Sequence, residues 1–190
     1  MSSLRVWLFR GLVVVAAGLM LGSWCMPWWG VEVYMLGGDV VKVYPYGLEQ
    51  NLGQFASYIA GAEMPAWFTP LMWLVVGLAT VALLIAALIK DRSISLLGRK
   101  FSLPKLIIGV VGLAYIGGVV LAPLVIAIQT RAFFDMPLQG YFTINLGGEG
   151  LFSGAMSSFR FGYWLACGVG PLLIALALLR DKIVGKTKLD

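Results

Sequence analysis

The nineteen residues from Gly11 to Trp29 carry no charge, follow Arg5 and Arg10, and end in Trp24-Cys25-Met26-Pro27-Trp28-Trp29. A helix rises about 1.5 Å per residue, so roughly twenty apolar residues cross a hydrocarbon core of about 30 Å. Cations at one end of such a run and tryptophans at the other suit the two boundaries between lipid and water. No small-x-small cleavage site follows, so a retained first helix is expected in place of a removed signal peptide. Trp24 also stands where a lipid-modified cysteine would need a small residue before it.

Three further runs lack charge in the same way, and the four expected spans are 11–29, 67–89, 106–128 and 161–179. Composition agrees: 60% of the residues are apolar and 12% charged, against about 25% charged in soluble domains. The expected fold class is an all-α membrane protein, a bundle of four transmembrane helices with a small extracellular β-hairpin or sheet. It forms one integral membrane domain over residues 1–190.

Orientation follows from the cations. Arg5 and Arg10 precede the first span; Lys90, Arg92, Arg99, Lys100 and Lys105 lie between the second and third; Arg180, Lys182, Lys186 and Lys188 follow the fourth. Only Lys42, Arg131 and Arg160 fall elsewhere. The positive-inside bias puts both termini in the cytoplasm and the loops 30–66 and 129–160 outside, with the plasma membrane as the expected location. The net charge of +5 is spread beside apolar spans and forms no basic patch interleaved with aromatics, so no nucleic-acid partner is expected.

In the first outer loop, Val31 to Leu36 and Asp39 to Tyr44 flank Gly37-Gly38, which reads as a hairpin with a two-residue turn. Pro45 and Gly47 stop the second strand, and Leu48, Leu52, Phe55 and Ile59 suggest a short helix over 48–62. The second outer loop is unusually apolar, and Leu138 to Leu146 could add a third strand to the hairpin. Exposed apolar surface in such loops suits a partner. The candidate partner-binding residues are Phe133, Phe134, Met136, Tyr141, Phe142, Tyr34 and Tyr44.

Small residues recur at four-residue intervals: Gly18 and Gly22; Ala114, Gly118 and Ala122; Gly162, Ala166 and Gly170. Lipid tails do not drive apolar helices together, so close backbone approach at Gly18, Gly22, Ala114, Gly118, Gly162, Ala166 and Gly170 is expected to pack them. Pro123 and Pro171 should kink their helices. Trp24, Trp28, Trp29, Trp67 and Trp164 read as interface anchors; a flat platform for a lipid tail, a quinone or a partner helix is the other reading of that belt.

Chemistry is harder to find. Histidine is absent, which removes the commonest metal ligand and the side chain best suited to proton transfer near neutral pH. No phosphate-binding loop, dinucleotide fingerprint or catalytic triad can be assembled, and no catalytic, cofactor or metal residue is assigned. Cys25 and Cys167 are expected as free thiols, although a bond between them is open. Among the outer carboxylates, Glu63 and Asp135 stand beside apolar sequence, where a carboxylate acquires a partner or a shifted pKa. No ionisable residue falls inside a span, unlike the pattern of pumps and proton-coupled carriers.

The layout resembles that of claudin-like tetraspan membrane proteins. Trp24…Trp28-Trp29-Gly30 is similar to that family's tryptophan-bearing first loop, and Gly162-Tyr163-Trp164 to its start of the last helix. The family's first loop also carries a cysteine pair, which this chain lacks. The resemblance implies four helices, cytoplasmic termini, an outer β-sheet, and lateral association or adhesion without catalysis.

The expected function is thus that of a non-catalytic multipass protein, structural or self-assembling, whose partners are membrane lipids and either itself or other membrane-protein subunits. Two alternatives stay open: an accessory subunit of an energy-converting complex that shapes a quinone or lipid site, and a small lipid-handling enzyme or carrier. Tags fused to each chain end should both react only from the cytoplasmic side; labelling of the two ends from opposite sides would refute the assignment.

Overall fold

The computed structural model describes residues 3–50, 64–89, 93–96, 99–134, 136–145 and 152–184. In chain order the elements are α1 (Ser3–Cys25), β1 (Trp29–Val33), a 3-10 turn (Tyr34–Leu36), β2 (Gly38–Tyr44), β3 (Gly47–Gln50) and α2 (Phe68–Leu88). There follow β4 (Ser93–Leu96), β5 (Arg99–Ser102), α3 (Leu103–Phe134), β6 (Gly140–Asn145), β7 (Phe152–Phe159) and α4 (Phe161–Ile183). All four helices are long and apolar enough to cross a membrane.

Their ends differ from the expected spans. The first helix stops at Cys25, because Pro27 lacks the N–H that a continuing turn needs, and Trp29 already belongs to β1. The third runs to Phe134, so the stretch from 129 to 134, expected as loop, is helical. Pro123 and Pro171 lie inside α3 and α4, each of which continues as one element.

The chain divides into two compact units. One comprises Met1–Gly22, Leu74–Gly118 and Ala166–Asp190, the other Ser23–Trp73 and Val119–Leu165.

In the first unit the helices are apolar all round, yet burial is periodic. On α1 Phe9, Val13, Ala16, Ala17 and Met20 are buried, while Leu8, Leu12, Val15 and Leu19 are exposed. On α4 Ala166, Val169, Leu173, Leu176, Ala177 and Arg180 make the matching stripe. One stripe faces protein, and the remaining apolar surface is what lipid would cover. Contact between α3 and α4 is made at glycine: a Cβ on Gly170 would lie 2.5 Å from Cγ1 of Ile116, and one on Gly112 would lie 3.0 Å from Cβ of Leu173.

Arg180, placed by its sequence among the tail cations, is instead buried, donating from Nη1 to the Ser102 hydroxyl at 3.0 Å and stacking over Phe9 at 5.9 Å. Nearby, Lys105 pairs with Asp181 at 2.7 Å. A short hairpin, β4–β5, joins α2 to α3, with Ile94 opposite Phe101 and Ser95 opposite Lys100; the sequence had not suggested it.

The second unit contains a five-stranded antiparallel sheet in the order β3-β2-β1-β7-β6. Segments from both 30–66 and 129–160 contribute, so it is larger than the expected hairpin. Val33 pairs with Gly38, so the connection is the four residues 34–37 and not a Gly-Gly pair. Gly37 closes it at φ 70°, a left-handed conformation that favours glycine. The register slips between Val31 and Glu32, leaving Val40 as the extra residue of a bulge.

Leu48 to Gln50, expected to begin a helix, form β3; residues 51–62 of that expected helix lie outside the described residues. The strand expected at 138–146 is β6, but it pairs with β7 and reaches the hairpin only through it. One face of the sheet is apolar: Trp29, Val31, Val33, Val40 and Ala155 pack with Ile126 of α3, flanked by Met136, Leu138, Phe142, Ile144 and Phe159.

Gly170→Leu should therefore destabilise the protein by about 1–3 kcal/mol through overpacking. Gly18, with nothing within 4 Å of its Cβ position, should tolerate leucine within about 0.5 kcal/mol. Unfolding measured in detergent for both variants checks the contrast.

Candidate interaction surface

Strand alternation that turns Val31, Val41 and Ala155 toward the core turns Glu32, Asp39, Lys42 and Glu49 to the other face. Glu32 lies opposite Asp39 and Lys42 opposite Glu49. Two carboxylates side by side repel, and Arg160 relieves this. Its backbone N–H donates to the carbonyl of Trp28 at 2.9 Å, which fixes where the chain leaves β7. Its guanidinium then bonds Asp39 and lies 3.9 Å from Glu32. The side chain crosses directly over Gly30, where a Cβ would lie 3.2 Å from Nε of Arg160 and 3.0 Å from the carbonyl oxygen of Val41. Any side chain at position 30 would displace this clamp.

Toward the β3 edge, Tyr44 donates its hydroxyl to Glu49 at 3.0 Å. Burial first, then that bond and the carboxylate charge, pushes the Tyr44 phenol up to about 12. A folded-state pKa above the unfolded one stabilises fully below the unfolded value of 10.0 and is lost as pH climbs through 12, so the bond persists throughout the physiological range. The Tyr44 ring stacks on Tyr46 at 5.2 Å and Tyr46 on Trp73 at 5.0 Å. Beside them lies an open hollow of about 630 Å³ lined by Tyr44, Tyr46, Gly47, Leu48, Glu49, Gln50, Met64 and Thr69.

The far end of the sheet is different in kind. Tyr34, in the turn after β1, lies over Gly154, where a Cβ would meet its ring at 3.0 Å. It stacks on Tyr141 of β6, with centroids 6.5 Å apart and planes 21° apart. Met35 donates its N–H to the hydroxyl of Ser153, which holds the turn against β7. Tyr34 is 53% exposed, Met35 63%, Tyr141 73% and Phe152 61%, with Leu36 beside them at 42%. These are five large side chains on a turn and two strands, not on the outward flank of a spanning helix.

The structure thus brings together two of the seven candidate partner-binding residues, Tyr34 and Tyr141. Met136 and Phe142 are instead partly buried against the apolar face of the sheet, because alternation along β6 sends Phe142 inward when Tyr141 points out. Tyr44 belongs to the opposite edge. Phe133 and Phe134 close α3, and their side chains lie outside the described residues, as do Glu63, Asp135 and Glu149. The sequence reading missed Met35, Leu36 and Phe152 as surface residues; their place at a turn and a strand end was the available signal.

The aromatic belt is also revised. Trp67 and Trp164 are exposed, but Trp24, Trp28 and Trp29 are buried. Trp28 donates to the carbonyl of Ser23 at 2.9 Å, and Trp29 to that of Leu138 at 2.6 Å. Trp24, Trp28, Tyr163 and Phe159 make a continuous run of ring contacts. These three tryptophans are packing residues, not anchors.

Of the candidate helix-packing residues, Ala166 is buried and Gly170 meets α3, whereas Gly162 meets the Met26-Pro27 turn. Gly18, Gly22 and Gly118 have nothing within 4 Å of a Cβ position, and Ala114 is exposed; α3 presents Gly112 and Ile116 to α4 in their place.

Cys25 and Cys167 are free thiols. Among the described residues, no three Cys, Asp or Glu side chains group closely enough to hold a metal ion. No protein-family model, curated protein or solved structure matches the chain.

Arg160→Gln should cost about 1–2 kcal/mol of stability, since it leaves Asp39 facing Glu32 without a cation in a partly exposed site. Asp39→Asn in the same background should recover part of the loss, which a double-mutant cycle in detergent would measure.

Proposed function

We propose that this chain is a non-catalytic multipass membrane protein that works by association, as a self-assembling or structural subunit, through the exposed end of its sheet. The observation that carries this reading is the cluster of Tyr34, Met35, Leu36, Tyr141 and Phe152. Exposed apolar side chains on the helices are what a lipid-spanning segment requires, but those on a sheet have no such account. Covering a side chain of this size is worth about 1.5–3 kcal/mol, so a partner surface is the natural occupant.

Electrostatics supports a binding role over a chemical one. Arg160 is committed to Asp39, and Tyr44 to Glu49, so these four polar groups of the sheet are engaged in pairs. The plasma membrane and cytoplasmic termini remain part of this proposal, on the strength of the cation distribution. So does the likeness in layout to claudin-like tetraspans.

A second reading, the accessory subunit that shapes a quinone or lipid site, is favoured by the hollow beside Tyr44, Tyr46 and Thr69. It requires a quinone or lipid to co-purify with the chain and to be lost on Tyr44→Ala.

The leading reading is tested by blue-native electrophoresis in mild detergent. The wild-type chain should migrate above its monomer position, and Tyr34→Ser/Tyr141→Ser should shift it toward the monomer while leaving thermal unfolding unchanged. Monomeric migration of the wild type would overturn it.

A further inference from the structure

Among the described residues, β6 ends the five-stranded sheet on one side and β3 on the other. An end strand presents backbone N–H and C=O groups that lack ladder partners, a ready template for another strand. Proteins blunt such edges with charge, proline, a bulge or brevity. The β3 edge has such protection: four residues, Glu49 among them.

β6 has none of it. Its six residues, Gly-Tyr-Phe-Thr-Ile-Asn, contain no charge and no proline, and all six pair with β7 without a register shift. Tyr, Phe, Thr and Ile are residues that favour strands. The two faces of β6 are also unlike. Phe142 and Ile144 pack toward the apolar core, while Tyr141 and Thr143 are exposed.

We propose that β6 is where a second copy of this chain joins, the two β6 strands pairing antiparallel about a twofold axis normal to the sheet. The inference rests on the association reading above and names its mode. A second copy fits because an uncharged strand set against itself brings no like charges together, whereas β3 would bring Glu49 close to its own counterpart. An axis normal to the sheet keeps both apolar faces on the same side. Only registers centred on a residue satisfy this, with Phe142 or Thr143 opposite itself. A one-residue slip would set Tyr141 level with Ile144 and mix the faces. The two five-stranded sheets then become one continuous sheet, with Tyr141 of each copy set beside the other copy's β6 on the face that carries the Tyr34–Tyr141 pairs.

The test uses the full chain with Cys25 and Cys167 replaced by alanine, and single cysteines placed in turn at Tyr141, Phe142, Thr143 and Ile144. Each is oxidised in the membranes of the expressing cell. Disulfide-linked dimer should peak at Phe142 or at Thr143. Each step along the strand moves the two copies of a residue about 7 Å further apart, so a position two residues from the peak should give almost none. Thr143→Lys, a change on the exposed face, should cut linkage through a cysteine at position 142 by about tenfold, since it sets like charges near the axis, and should leave thermal unfolding as it was.

Even, weak linkage at all four positions, or a peak that ignores Thr143→Lys, overturns strand pairing. If blue-native electrophoresis then still shows an oligomer, the association reading stands and only the β6 mode fails. A monomer in both assays overturns both.

Discussion

The pairing of β1 with β7 is the interaction on which the rest of the second unit depends. β1 follows the first helix and β7 precedes the last, with α2 and α3 between them in the chain. Without β7, β1 and β2 would form a hairpin with only the short β3 beside it, which is marginal in water. With it, β1 becomes a central strand, and β6 is carried in on the far side. The composition of β7 suits that place. Ser153, Ala155 and Ser157 point inward and are buried, and their small side chains leave room for Val31, Val33, Phe142 and Ile144 on the neighbouring strands. The hydroxyl of Ser157 donates to the carbonyl of Pro137 at 2.7 Å, so burying it leaves no unsatisfied donor.

The same pairing positions the polar clamp. Arg160 is the first residue after β7, and the bond from its N–H to Trp28 carries the register of the sheet into the start of α4. Its guanidinium reaches Asp39 only because β1 lies between β7 and β2 and offers Gly30, with no side chain, as the crossing point. Three strands from two loops are therefore fastened on the polar face by one cation and on the opposite face by a shared apolar layer.

In the helical unit the balance of forces is of another kind. Water does not drive these helices together if lipid surrounds them, so contact rests on shape. Gly170 against Ile116 and Gly112 against Leu173 bring α3 and α4 close. Arg180 adds a polar tie, reaching Ser102 at the end of β5 while its stem stays buried.

Much of the fold was legible in the residues themselves. Four uncharged runs of membrane-crossing length, the grouping of cations beside them, and the strand character of 31–33, 39–44 and 140–145 all follow from local chemistry, because span length and strand propensity are properties of short segments. Half-readable was the surface: Tyr34 and Tyr141 emerged as candidates, but so did Phe142, since an apolar loop does not declare its register. What only the tertiary structure decided was who meets whom. β7, rich in serine, glycine and alanine, has no strand signature of its own and becomes one through its neighbours. The burial of Trp24, Trp28 and Trp29, and the choice of Gly112 over Gly118 as the contact on α3, were invisible for the same reason. On an element that is apolar on every side, sequence periodicity does not distinguish the face that meets protein from the face that meets lipid, and only packing breaks that symmetry.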